Sequence, residues 1–272
     1  MLQRRLLRRI PSYRRMITTN SVNVVSYNVL SEKLCNWSYY DKTRPSDCDQ
    51  DVRYERVMSK VRAQMDTNAV ICMQEVSRRW LEKLIPIFSK YKYEYVSYQG
   101  HKARNGYMGP CVAWPRERFE IKNVSVDRVT DTMKWPAWQN IVSDSMGNEK
   151  EEEREDSWKT TRSRKNGVVL VRLCDGESTF VIGNYHMPCL FGSDVACQSM
   201  VAHAIMVIRA AQSFAANDPL IICGDWNITP NSATYNMIQN RGLPENHPQN
   251  LPLNERSPYV RIADIILDLS IL

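Results

Sequence analysis

Short apolar runs recur along the chain, and each ends in polar residues. "VNVVSYNVL" (22–30), "NAVICMQEV" (68–76), "GVVLVRL", "STFVIGNYHM" and "PLIICGDWN" all share this form. Runs of this length, rich in β-branched residues and bounded by turn formers, predict buried strands. Between them, "DVRYERVMSKVRAQMD" (51–66) sets Tyr54, Val57, Met58 and Val61 on one helical face. "RRWLEKLIPIFSKY" predicts a second helix, strained or ended near Pro86, because proline lacks the ladder N–H. "DVACQSMVAHAIMVIRAAQSFAA" (194–216) predicts a long amphipathic helix.

The middle of the chain changes character. "YEYVSYQG", "MGPCVAWP" and "FEIKNVSVDRV" predict short strands, and the Asp-Gly of "CDGE" suits a β-hairpin. Residues 143–166 are charged and lack apolar periodicity, so a solvated insertion is expected, its cations Lys159, Arg162, Arg164 and Lys165 included. No internal repeat or linker divides residues 21–272. Strands separated by helices, with hairpins in the middle, predict one α/β domain of sheet layers covered by helices.

Charge changes this picture only at the start. The net charge of +6 belongs to residues 1–20, "MLQRRLLRRIPSYRRMITTN", which hold six arginines and no acid. Without them, 30 basic residues face 30 acidic ones, so the body is formally neutral. An Arg- and hydroxyl-rich, acid-free leader that can form an amphipathic helix has the marks of a mitochondrial presequence. The alternatives are a disordered basic arm that binds RNA, or an internal start at Met16 and a cytoplasmic protein. The eight cysteines form no CxxC pair, which favours free thiols in a reducing compartment. No apolar run is long enough to span a bilayer.

The strand ends carry the chemistry. The first ends at Asn28, the second at Glu75, the strand "FVIGNYHM" at Asn184 and His186, and "LIICGDWN" at Asp225 and Asn227. Loops and strand ends on a rigid scaffold are common places for catalytic groups. If these ends meet at one rim, they form a set of carboxylates, carboxamides and one imidazole. Hard oxygen ligands of this type suit Mg²⁺ better than Zn²⁺. Each residue also has a structural reading: Asn28 as a turn cap, Glu75 as a surface acid, His186 as a satisfied core histidine. Trp37, Tyr39 and Tyr40 follow the first strand and are candidates for stacking on a base or for packing at the rim.

In order, "SYNVL", "CMQEV", "GNYHM" and "GDWNITPNSATY" resemble the motif series of the endonuclease/exonuclease/phosphatase superfamily, and among its branches that of the deadenylases and nocturnin. "YMGPCVAWPRERFEI" (107–121) resembles a further strand of that branch, and the resemblance spans about residues 22–243. It implies a four-layer α/β/β/α sandwich of the DNase I type. It implies Glu75 as the principal metal ligand, with Asn28 as a second ligand or an orienting group for the bound phosphate. Asp225 would align or deprotonate the attacking water, Asn227 would hold that water or the phosphate, and His186 would donate to a phosphate oxygen. Asn184 and Asn28 would contact substrate. The cofactor implied is Mg²⁺, or Mn²⁺ in its place. The substrate is an RNA 3′ end or a small nucleotide phosphate.

The branch normally closes with an Asp-bearing strand and then Ser-Asp-His. Asp264 in "IADII" is the counterpart of the first, and nothing in "SPYVRIADIILDLSIL" matches the second. Loss of one such phosphate-contacting group costs ~10² to 10³ in rate. Two expectations follow. One is a Mg²⁺-dependent phosphodiesterase of 3′ exoribonuclease or deadenylase type, weakened and short of its last strand. The other is a catalytically inactive homologue that serves as a binding or scaffold subunit of a mitochondrial ribonucleoprotein assembly, with its protein partner unidentified.

Overall fold

The computed structural model describes residues 21–100, 103–135, 157–176, 178–244 and 246–250. In chain order the elements are β1 (Val24–Asn28), α1 (Gln50–Met65), β2 (Val70–Val76), α2 (Arg78–Lys90), β3 (Tyr93–Ser97), β4 (Gly109–Pro115) and β5 (Glu120–Arg128). They continue with α3 (Ser157–Ser163), β6 (Gly167–Asp175), β7 (Ser178–His186), α4 (Asp194–Ala215), β8 (Leu220–Asp225) and α5 (Ala233–Asn240). The leader 1–20 and the segment 251–272, with Asp264, lie outside the described residues.

The strands form two four-stranded sheets, ordered β1-β2-β4-β3 and β5-β6-β7-β8. Each is antiparallel except at one margin, where β1 runs parallel to β2 and β8 parallel to β7. The two-residue period of a strand explains the layering. In β2, Val70 and Cys72 face the other sheet and pack with Val169, Val171 and Ile182. Ile71 and Met73 point the other way, onto Val57, Met58, Val61, Trp80 and Leu84 of α1 and α2. On the far side, α4 places Val201, Ile205 and Met206 over Val168, Leu170 and Tyr185. The result is the four-layer sandwich expected, with helices outside and sheets inside.

Local signals set the element ends. Asp49, Ser77, Ser193 and Ser232 cap α1, α2, α4 and α5, each accepting bonds from backbone N–H groups of the first turn. Asp175 pairs with Ser178 across the β6–β7 hairpin, and Gly176 takes the left-handed conformation (φ +66°) that this turn needs.

One expectation is narrowed here and another corrected. The helix α2 passes through Pro86 and ends only at Lys90. Trp80, Leu84 and Phe88 are buried along one face at four-residue spacing, and burying each contributes about 1.5–3 kcal/mol, against a proline cost of ~3 kcal/mol. The charged stretch 143–166 is also not solvated throughout. Its end folds as α3, which buries Ser157, Trp158 and Thr161 and bonds to α4 through Thr161 Oγ1 and Ser199 Oγ at 3.0 Å. All eight cysteines are free; Cys72, Cys111 and Cys174 are buried, and Cys189 is exposed. Among the described residues, no helix is long and apolar enough to cross a membrane.

Candidate active site

Asn28, His186 and Asp225 are the last residues of β1, β7 and β8, and Glu75 is next to last in β2. Because β7 and β8 are parallel and in register, His186 lies beside Asp225. Gly224 makes that closeness sterically possible: a Cβ there would sit 2.2 Å from the Tyr185 carbonyl oxygen. The β1 and β8 strands belong to different sheets yet meet at the same end of the sandwich, where Asn28 bonds to Asp225.

Glu75 reaches this end through a backbone irregularity. The β2–β4 register shifts between Met73 and Val76, and Glu75 has φ +59°. A bulge of this kind re-aims one side chain, and the left-handed conformation costs a non-glycine residue ~1–2 kcal/mol. The carboxylate is then held by two donors. Asn28 Nδ2 donates to Oε1 at 2.9 Å, and the Ser31 backbone N–H donates to Oε2 at 3.0 Å. Asn28 Nδ2 also donates to Asp225 Oδ2 at 2.9 Å, so one amide group ties both acids together. Asp225 Oδ1 accepts from the Asn227 backbone N–H at 3.1 Å, and Asn227 takes a left-handed φ of +48° in that turn. Asn227 Nδ2 lies 3.2 Å from His186 Nε2 and donates to the Met187 carbonyl at 3.0 Å. His186 Nε2 is 3.9 Å from Glu75 Oε1, which closes the cluster.

These groups lie at the floor of a cleft of about 710 Å³, whose walls include Tyr39, Tyr40, Asn105, Arg164, Lys165 and Cys189. The acids set its field. Burial first, and then Glu75, pushes the Tyr40 phenol up. Burial first, and then Asp225 and Glu75, pushes the Cys189 thiol up. A site that disfavours further negative charge at neighbouring groups needs positive charge to receive a phosphate.

The structure thus gathers Asn28, Glu75, His186, Asp225 and Asn227 at one point. It places Asn184 elsewhere. That side chain is fully buried between the sheets, where Nδ2 donates to the carbonyls of Met73 (2.8 Å) and Cys111 (2.9 Å) and Oδ1 accepts from Gln74 Nε2 (2.8 Å). Asn184 is a bridge between β7 and the opposite sheet, which corrects its expected contact with substrate. In this arrangement the Asn28 oxygen accepts from the Leu30 N–H at 2.8 Å and its N–H₂ faces the acids. The core-histidine reading fits His203, not His186. Its two ring nitrogens lie 3.1 Å from Tyr185 Oη and 3.2 Å from the Thr161 carbonyl, and burial depresses its pKa to about 3.

Sequence reasoning missed Ser31 and Asn166. Ser31 steadies Glu75, and its hydroxyl bonds the Asn105 carbonyl at 2.9 Å. Asn166 lines the cleft and donates to the His186 carbonyl at 2.7 Å. Ser31 carries no pattern of its own, and Asn166 closes a charged run that reads as solvated.

A divalent cation suits this donor set in one specific way. Among the described residues there is no group of three or more His, Cys, Asp or Glu side chains able to hold a metal. Mg²⁺ does not need one, since it takes one or two carboxylates and fills its octahedron with water and substrate oxygens. Glu75 and Asp225, bridged by Asn28, are the carboxylates that fit.

The sequence model of the "Endonuclease/Exonuclease/phosphatase family" matches residues 25–262. Curated relatives include the "CCR4-Not complex 3'-5'-exoribonuclease subunit Ccr4" of Emericella nidulans, 24% identical over 277 residues, covering 84% of this chain and 38% of that protein. The "2',5'-phosphodiesterase 12" of Rattus norvegicus is 21% identical over 251 residues, covering 86% and 38%. The chain therefore spans well under half the length of the curated relatives it matches. Among solved structures, ANGEL2, described as a 2',3'-cyclic phosphatase, superposes with a TM-score of 0.59 at 18% identity, covering 80% of this chain and 56% of that one. The human nocturnin catalytic domain with bound sulfate gives 0.57 at 17% identity, covering 79% and 67%. Likenesses at this identity speak for the fold.

Proposed function

The chain belongs to the Endonuclease/Exonuclease/phosphatase family, and on that premise we propose that it is a Mg²⁺-dependent phosphodiesterase of 3′ exoribonuclease or deadenylase type, acting on an RNA 3′ end or a small nucleotide phosphate. The observation that carries this reading is the pair of 2.9 Å bonds from Asn28 Nδ2 to Glu75 and Asp225, which gathers two acids beside His186 and Asn227. Its relatives include an exoribonuclease, a phosphodiesterase and a phosphatase. Hydrolysis of phosphate esters is what those three share.

In this mechanism Glu75 and Asp225 would hold a divalent cation, whose charge would offset that of the phosphate and of the transition state. Asp225 keeps a lone pair free to orient a water for in-line attack, while the Asn227 N–H fixes the direction of its carboxylate. His186 donates to a phosphate oxygen, and the Asn227 carboxamide holds the ring in place. Asn28 maintains the spacing of the two acids, whose mutual repulsion would otherwise widen the site.

The test is hydrolysis of labelled oligo(A), other RNAs and a nucleotide phosphate with Mg²⁺, beside an Asp225→Ala control. Turnover by the wild type that is lost in the control supports the reading, and equal turnover in both removes it. We also propose that residues 1–20 direct the protein to mitochondria. A reporter fused to them that stays in the cytosol would refute this.

A further inference from the structure

The acids occupy only the floor of the cleft. Its volume, about 710 Å³, lies well inside the ~300–1,000 Å³ typical of small-ligand sites. Two features of the walls serve nothing described so far. One is aromatic: Tyr39, on the segment between β1 and α1, is 79% exposed and meets Tyr40 only edge-on, with ring centroids 5.0 Å apart. A large ring left in water beside a site is a stacking surface without a stack.

The other is cationic. Arg164 and Lys165, between α3 and β6, line the same cleft. Neither forms an ion pair among the described residues, whereas Arg44, Arg118 and Arg172 each do. Arg164 Nε is buried without an acceptor. The backbone beneath these cations is fixed from three sides. Arg128 Nε donates to the Arg164 carbonyl at 2.8 Å, Tyr98 Oη to the Lys165 carbonyl at 3.1 Å, and the adjacent Asn166 to the His186 carbonyl at 2.7 Å. The backbone that carries the two cations is thereby held at a set place relative to His186, in a protein whose body is formally neutral. Such a pair, next to an acidic floor, fits an anion that is separate from the one being cleaved.

Given the phosphodiesterase reading of the acid cluster, on which this rests, we propose that Arg164 and Lys165 bind a second, non-scissile phosphate of the substrate while Tyr39 stacks on a base. The site then selects a nucleotide chain end with at least two phosphates over a phosphodiester with one. The chemistry of the walls sets specificity, and that of the floor sets cleavage.

The experiment compares ApA, with one phosphate, and ApApA, with two, as kcat/KM. Wild type should favour ApApA by roughly tenfold or more, as one charge-assisted bond commonly gives, and rising salt should shrink the preference. Lys165→Glu and Arg164→Gln should each lower turnover of ApApA more than that of ApA, and Tyr39→Ala should raise KM with kcat largely kept. Lys165 and Tyr39 are exposed, so their variants keep the test open if Arg164→Gln fails to fold. An unchanged ApApA to ApA ratio in Lys165→Glu, or an unchanged KM in Tyr39→Ala, would overturn the proposal. If no turnover depends on Asp225, the phosphodiesterase reading falls on its own. Anisotropy of fluorescein-labelled oligo(A) then decides the subsite: weaker binding in both exposed variants supports it, and equal binding, or none by wild type, overturns it.

Discussion

Replacing His203 with Gln should flatten the acid side of the stability profile. His203 is fully buried under α3, bonded to Tyr185 and Thr161, and its pKa falls from 6.5 to about 3, chiefly through burial, with Arg164 and Arg128 adding repulsion. Above pH 6.5 the ring is neutral in both folded and unfolded chains, so it contributes no pH dependence. Below that, the unfolded chain binds a proton that the folded protein refuses. Stability is therefore lost as pH falls from 6.5 towards 3. At pH 5 the loss from this one group is about 2 kcal/mol relative to pH 7.5. For a domain of this size it corresponds to roughly 4–8 °C in Tm. Urea midpoints for wild type and His203→Gln at pH 7.5 and pH 5 measure it. The Gln variant starts from a lower baseline, so the quantity compared is each protein's own change with pH. Carboxylates titrate in both and cancel. Equal acid losses in the two proteins would refute the reasoning, since the imidazole would then have to be solvated or already charged.

Other substitutions test different parts of the account. Asn184→Ala should destabilise by about 3 kcal/mol, because Gln74 and two buried carbonyls lose their partner; a denaturation midpoint close to wild type would contradict the bridging role. Glu75→Gly should be more stable than Glu75→Ala by ~1 kcal/mol, reversing the usual order, because only glycine relaxes a φ of +59°; thermal melts of the pair decide. Glu75→Gln should raise the Mg²⁺ concentration for half-maximal turnover by roughly tenfold, through the loss of one of the two carboxylate charges, and an unchanged Mg²⁺ titration would place the cation elsewhere. Asn28→Ala should cut turnover by ~10² or less while leaving the fold near wild type, since it removes the tether between the two acids; a loss equal to that of Asp225→Ala would give Asn28 a direct part in the chemistry.

Much of the layering was legible because burial writes period-two and period-3.6 patterns into the chain. The strand ends were visible for the same reason: an apolar run must stop before a polar side chain reaches the rim, as at Asn28 and Asp225. What hid were features set by contacts across sheets. Asn184 shares a face of β7 with His186 and reads like another rim residue, yet it lies two residues deeper along the strand and so meets Met73 and Cys111 between the sheets. The conformation of Glu75 depends on a register shift against β4, about 35 residues away in the chain, and no local pattern encodes it. The helix α3 hid inside a charged run because its buried face is one turn long. Pro86 pointed the other way, since a local penalty was outweighed by three anchors spread along the helix.

The bond between Asn28 and Asp225 joins positions 197 residues apart. During translation the first sheet can take shape while more than half of the polypeptide is still unmade, but its Asn28 must wait for β8 to leave the ribosome. A message cut short between codons 187 and 224 would encode three of the five rim residues, Asn28, Glu75 and His186, and no second acid for Asn28 to grasp. Competence of this site therefore arrives late and all at once, as the closing strand docks.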